Sequence, residues 1–194
     1  MNFKSYDVLS KLITGLLVSC VLIKVYFPIT DFSNFGDVIF VTALAYIVGF
    51  FIDTFSSWLE PLYFFSWGGK PSDKFMSEKG MWGIKVPSNM EPIKNYIRSL
   101  VDDDTILDEE LFGIALRKTK SDRIMDFQNL YAFSRSLLTS FIILFFSLIP
   151  HFHCHLMFYL ISAFLIFVLW LRAKQRAYYF VKEVLVSSYV NRKE

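Results

Sequence analysis

Polar and apolar positions are distributed very unevenly along this chain. Four runs, Leu12 to Ile23, Val38 to Ile52, Leu137 to Ile149 and Leu156 to Leu171, contain no charged residue. A bilayer core of about 30 Å takes roughly 20 helical residues. With their interfacial flanks, the runs predict spans at Leu9 to Phe27, Val38 to Trp58, Phe133 to Ile149 and His155 to Arg172. Pro150 lacks the backbone donor a continuing helix needs, so the third span is expected to stop before it. Lys4 and Lys11 precede the first apolar run, as in a cleavable leader, but no small-residue cleavage pattern follows it, only Tyr26-Phe27-Pro28, so the span is read as retained.

The remaining segments have their own patterns. From Phe64 to Pro92, glycine and proline density interrupts both helical and strand periodicity, and the stretch reads as an irregular loop on the inner leaflet. Ser88 and Glu91 form a capping box for a helix carrying Ile93, Tyr96, Ile97, Leu100 and Val101 on one face. Thr105 and Asp108 open a second helix, with Leu107, Leu111, Phe112, Ala115 and Leu116 on its apolar side. Its acidic start and basic end both complement the helix dipole. A third helix starts at Ser121 and runs through Ile124, Phe127, Leu130 and Tyr131 into the third span. Beyond Arg172, residues Ala177, Tyr178, Phe180, Val181, Val184, Leu185, Val186, Tyr189 and Val190 are too many apolar groups to leave in water. They pack on the central segment, on another subunit or on a partner.

The expected fold is therefore an all-α integral membrane protein with four transmembrane helices in two hairpins. A first hairpin (1–60), a small helical cytoplasmic module (61–132), a second hairpin (133–172) and a cytoplasmic C-terminal helix (173–194) follow in order.

Composition agrees: 54% of the 194 residues are hydrophobic and 20% charged, against ~45–50% and ~25% in soluble domains. This excludes an ordinary soluble enzyme, a disordered chain and a disulfide-stapled secreted domain. The net charge of +2 conceals a strong asymmetry. The connections Pro28 to Asp37 and Pro150 to Cys154 hold no Lys or Arg, and every basic residue except Lys24 falls on the opposite side. Both termini and the central module are thus expected in the cytoplasm, with Trp58, Trp67 and Trp170 near the same inner boundary.

Candidate chemistry is sparse. Lys24 reads as a snorkelling lysine close to the outer headgroups. Asp53 lies about 23 Å along the second span, close to its inner end, either as an interfacial carboxylate or as an inter-helix contact, and Arg135 opens the third span. No ionisable residue reaches the bilayer centre, which argues against a proton-coupled transporter. Asp102, Asp103, Asp104, Asp108, Glu109 and Glu110 read as a solvated helix start or an acidic docking patch, since they lack the ligand spacing and turn glycine of a calcium loop. Tyr178, Val184, Leu185 and Tyr189 are the docking candidates on the last helix. His151, His153, Cys154 and His155 are metal ligands by type, in an outer turn that would have to curl to bring them together. Cys20 is too deep in its span to bridge Cys154. Gly15 and Gly49 permit close helix approach, within the chain or between subunits. The module carries ten basic and eleven acidic side chains, a poor surface for direct nucleic-acid binding. The turn from Arg172 to Arg176 suits anionic headgroups. No phosphate loop, nucleophile elbow or zinc-protease motif is present, and no enzyme, cofactor or metal is expected.

The start Tyr6-Asp7-Val8-Leu9-Ser10-Lys11-Leu12-Ile13-Thr14-Gly15 and the stretch Ala45-Tyr46-Ile47-Val48-Gly49-Phe50-Phe51-Ile52 are similar to those of small four-helix membrane proteins of bacterial defence loci. With the length and topology, nearly the whole chain resembles the membrane-subunit family (KwaA) of the Kiwa anti-phage system. The resemblance implies a non-enzymatic inner-membrane sensor that forms a homo-oligomer, a tetramer in that family. It also implies work with a cytoplasmic DNA-binding partner, KwaB, and brings no catalytic residues or cofactor. A membrane-permeabilising defence effector is the alternative, although Thr14, Ser19, Thr42, Ser140 and Ser147 are isolated and form no polar stripe.

Overall fold

A computed structural model describes residues 3–26, 35–78, 90–100, 108–119, 122–152 and 154–190. Among them are eight helices: α1 (Phe3–Tyr26), α2 (Phe35–Trp58), α3 (Glu60–Ser66), α4 (Pro71–Met76), α5 (Glu91–Ser99), α6 (Asp108–Lys118), α7 (Asp122–Phe152) and α8 (Leu156–Val190). No strand is present among the described residues. Helices α1, α2, α7 and α8 are each long and apolar enough to cross a membrane. The chain divides into two compact units, one of residues 1–60 and 132–173, the other of residues 61–131 and 174–194.

In the first unit α1 and α2 form an antiparallel pair whose contact is set by small residues. A methyl added to Gly15 would lie 2.6 Å from the Gly49 nitrogen and 2.7 Å from the Ala45 carbonyl carbon, and closer still to the Ala45 oxygen. One added to Gly49 would strike the Lys11 carbonyl oxygen. Lys11 faces Gly49 and Gly15 faces Ala45, so the close approach open in the sequence is used within the chain. Val18, Ile52 and Leu144 form the buried apolar cluster beside it, while Phe40, Phe51, Phe146, Leu156 and Phe164 stay exposed. In water such exposure would be an aggregation hazard, whereas in lipid it is the expected outer face.

The second unit has a conventional core. Phe75, Met90, Ile97, Leu111, Ala115, Ile124, Tyr178, Val181, Val184 and Leu185 pack together, so the last helix closes the module's own interior. Edge-to-face pairs Tyr96–Tyr189 and Phe112–Phe180, with centroids 5.9 Å apart in each, extend that packing.

Three expectations are corrected. The stretch after Phe64 is not wholly irregular: α3 continues to Ser66, and α4 forms because Pro71, at the first helical position, presets the backbone where an amide donor would be unused. Gly68 and Gly69 separate these helices at φ values of 79° and 128°, which a side chain would oppose. Ser88 lies outside the described residues, and the residue preceding α5 is Met90, so a Ser88 capping box is not its start. Instead the Met90 amide donates to the Glu78 carboxylate at 3.1 Å, and Pro92 presets the first turn. Finally, α7 runs two residues past Pro150; in the last turn the missing amide costs one bond and does not break the helix. Thr105 and Ser121, the other expected helix starts, lie outside the described residues, and α6 and α7 begin at Asp108 and Asp122.

Candidate functional site

The densest polar arrangement of the first unit joins the end of α2 to α7. Asp53, Ser56, Ser57 and Glu60 recur at intervals of three and four residues, which puts them on one helical face. Against this face lies Arg135, only 8% exposed. Its Nη1 pairs with Glu60 Oε2 at 2.9 Å, its Nη2 donates to Ser57 Oγ at 2.8 Å and its Nε to Ser56 Oγ at 3.3 Å. The neighbouring Ser136 hydroxyl donates to Asp53 Oδ1 at 2.8 Å and lies 3.2 Å from Ser56 Oγ. One turn on, Thr139 and Ser140 are fully buried and return their hydroxyls to the Arg135 and Ser136 carbonyls at 3.0 and 2.9 Å.

This arrangement has the chemistry of a clamp. A planar guanidinium with several fixed donors suits a carboxylate and two hydroxyls, whereas an ammonium would fill only part of the set. Arg135 is buried but Glu60 is partly exposed, so removing one partner costs less than the ~3–5 kcal/mol of a fully buried pair. Asp53 thus makes an inter-helix contact, one of the two alternatives open in the sequence. On the facing helix, Lys11 pairs with Asp7 at 2.7 Å and its ammonium lies 5.6 Å from the centre of the Phe50 ring.

A second polar arrangement belongs to the other unit. The Trp67 carbonyl, just after α3, accepts from Lys74 Nζ at 2.8 Å and from Lys174 Nζ at 3.5 Å. Burial first, and then the nearby Lys74 ammonium, pull the Lys174 pKa below its ordinary value. Trp67 is buried and stacks on Tyr63, and its indole donor has no acceptor among the described residues.

The other sequence candidates are placed as follows. The docking role assigned to Tyr178, Val184 and Leu185 is corrected: each is at most 1% exposed within the module's own core. Burial also raises the Tyr178 pKa. Tyr189 is half-buried against Tyr96, and Glu110 is exposed on α6. Asp102, Asp103 and Asp104 lie outside the described residues, as do the side chains of Asp108 and Glu109. Lys24 is exposed in the last turn of α1. His151 meets the Tyr26 ring edge-on at 4.8 Å and His155 is tilted against Phe152 at 6.0 Å, so these imidazoles face different rings. His153 lies outside the described residues, and among those described no group of His, Cys, Asp and Glu is placed to hold a metal. Cys20 and Cys154 are free and exposed. The Arg135 clamp is what sequence reading missed. Its trace was there, in the spacing of Asp53, Ser56, Ser57 and Glu60 and in the arginine beside Ser136.

No protein-family model, curated protein or solved structure matches this chain. The fold defines a class: an all-helical chain with four helices of membrane-spanning length and hydropathy, compatible with a multi-pass membrane protein.

Proposed function

We propose that this chain is a non-enzymatic sensor and scaffold of the bacterial inner membrane. The four long helices cross the bilayer in two hairpins, both termini and the helical module face the cytoplasm, and copies of the chain assemble with one another. The module recruits a soluble DNA-binding effector, in a role in anti-phage defence like that implied by the Kiwa resemblance. The observation that carries this reading is the continuity of α7 and α8, each unbroken over 31 and 35 residues from an apolar span into residues of the module. Span and module thus share residues of one helix, the route by which a change in span packing is proposed to reach the module.

The module's near-balanced charge supports delegation of DNA to another chain. Truncation after Arg176 would remove Tyr178, Val181, Val184 and Leu185 from the core and would unfold the module, whatever its partners. The test therefore uses surface changes. The chain is expressed alone and together with any soluble protein found encoded next to it, and cells are challenged with phage. Protection that needs both chains, with membranes impermeable to dye when this chain acts alone, is the expected result. Glu110→Lys combined with Arg117→Glu, both exposed on α6, is expected to weaken co-purification of that protein. Dye release by this chain alone would establish the permeabilising alternative, and protection by neither would end the defence reading.

A further inference from the structure

In the first unit an apolar groove runs along α2. Val48, Ile52, Phe55 and Trp58 recur at helical spacing and line it, on a different face of the helix from the clamp residues Asp53, Ser56 and Glu60. Val18 of α1 and Ile143 of α7 complete the lining. Val18 and Ile52 are buried at its floor, whereas Phe55 and Trp58, 43% and 73% exposed, stand at its rim with their rings edge-on at 6.4 Å. Thr54 also lines the groove and returns its hydroxyl to the Phe50 carbonyl at 3.0 Å, so the walls offer hydrocarbon contact.

The dimensions select an occupant. The groove holds about 340 Å³. From Val48 to Trp58 the helix rises ~15 Å, which makes the mean width of the groove roughly 5 Å. A helix with its side chains is ~10–12 Å across and could enter only with single side chains, leaving voids whose lining loses its contacts. One hydrocarbon chain fills such a groove from end to end. Its depth agrees, because Val48 lies near the middle of the membrane-length segment Gly36–Trp58. A length of ~15 Å is half of a ~30 Å bilayer core, the share of a single leaflet. At the far end, the Trp58 indole joins an apolar body to an N–H donor, a combination suited to the level of the acyl esters.

We propose that this groove seats one acyl chain of a phospholipid, with the methyl end of the chain beside Val48 and its ester end at Trp58. The inference rests on α2 crossing the bilayer and on nothing in the defence reading. Lipid tails are as apolar as the groove, so the chain is held by van der Waals contact with fixed walls and is displaced by loss of room. The full chain is reconstituted in phosphatidylcholine nanodiscs and transferred to detergent, and the phospholipid it retains is counted by native mass spectrometry. A phosphatidylcholine carrying a diazirine midway along one acyl chain maps the contact by photo-crosslinking. The wild type is expected to keep a phospholipid and to cross-link within residues 48–58. Val48→Phe fills the groove from a half-buried position and is expected to lower retention about tenfold. Ile47→Phe adds the same ring one position earlier, exposed and outside the groove, and is expected to leave retention unchanged. Ile143→Phe fills the groove from α7 and repeats the test should circular dichroism show Val48→Phe to be unfolded. Failure to enter nanodiscs would end the membrane reading and the proposal together. Entry without retained phospholipid, or unchanged retention in a folded groove variant, overturns the proposal alone. A second copy retained in place of lipid, and lost in the groove variants, would reassign the groove to subunit packing and equally overturn it.

Discussion

Gly15→Ala is a small change with a large expected effect. The added methyl meets backbone, the Ala45 carbonyl and the Gly49 amide nitrogen, with no flexible side chain to swing aside. The helices must therefore part by roughly an ångström, losing contact along the whole α1–α2 interface, and overpacking of this kind costs about 1–3 kcal/mol. At about 2 kcal/mol, the folding equilibrium shifts some thirtyfold. Gly36→Ala is the matched control, since its methyl meets nothing within 4 Å. The assay is equilibrium unfolding in mixed micelles of increasing dodecyl sulfate fraction, followed by helical circular dichroism. Gly49→Ala is expected to cost a similar amount, and the double substitution less than the two together, because a helix pair already parted by one methyl accommodates the second. A Gly15→Ala protein as stable as Gly36→Ala would refute the packing argument, and strictly additive effects would refute the shared interface.

Other substitutions test the remaining parts of the structure. A double-mutant cycle with Arg135→Met and Glu60→Gln should give a coupling of about 1–3 kcal/mol in the same assay, whereas additive effects would mean that the pair at 2.9 Å contributes nothing. Gly113→Ala should stabilise the module by about 0.5–1 kcal/mol, since this exposed glycine lies inside α6 and its methyl meets nothing within 4 Å; a lowered thermal midpoint would contradict that. Leu185→Ala should cost about 2–5 kcal/mol, read as early loss of protease resistance, and a neutral outcome would remove α8 from the core.

Much of this fold was legible because each apolar run was long and free of charge. The runs beginning at Leu12 and Val38 lie inside α1 and α2, which begin ahead of the expected spans, at Phe3 and Phe35, and α2 ends at Trp58 as expected. What stayed hidden was tertiary. Gly15 and Gly49 mark a close approach in the sequence, but Ala45 and Lys11 become the facing backbone only in the fold. The apolar face from Tyr178 to Leu185 was visible as a period, yet a period does not separate a core from an interface. Helices α3 and α4 were masked by Gly68, Gly69 and Pro71, residues that punctuate short helices as readily as they break long ones. The Arg135 clamp is not legible from Asp53 alone, because the groups it joins lie on two helices some 80 positions apart, as in the Ser56–Ser136 contact.

Sidedness decides whether the module can meet a cytoplasmic partner at all, and cysteine labelling measures it directly. In a chain carrying Cys20→Ser, a membrane-impermeant maleimide is applied to spheroplasts, once with Cys154 retained and once with Cys154→Ser and Gly113→Cys. The account predicts that Cys154 labels in intact spheroplasts and that the thiol introduced at position 113 labels only after permeabilisation. The reverse pattern, or labelling of both from outside, would contradict it.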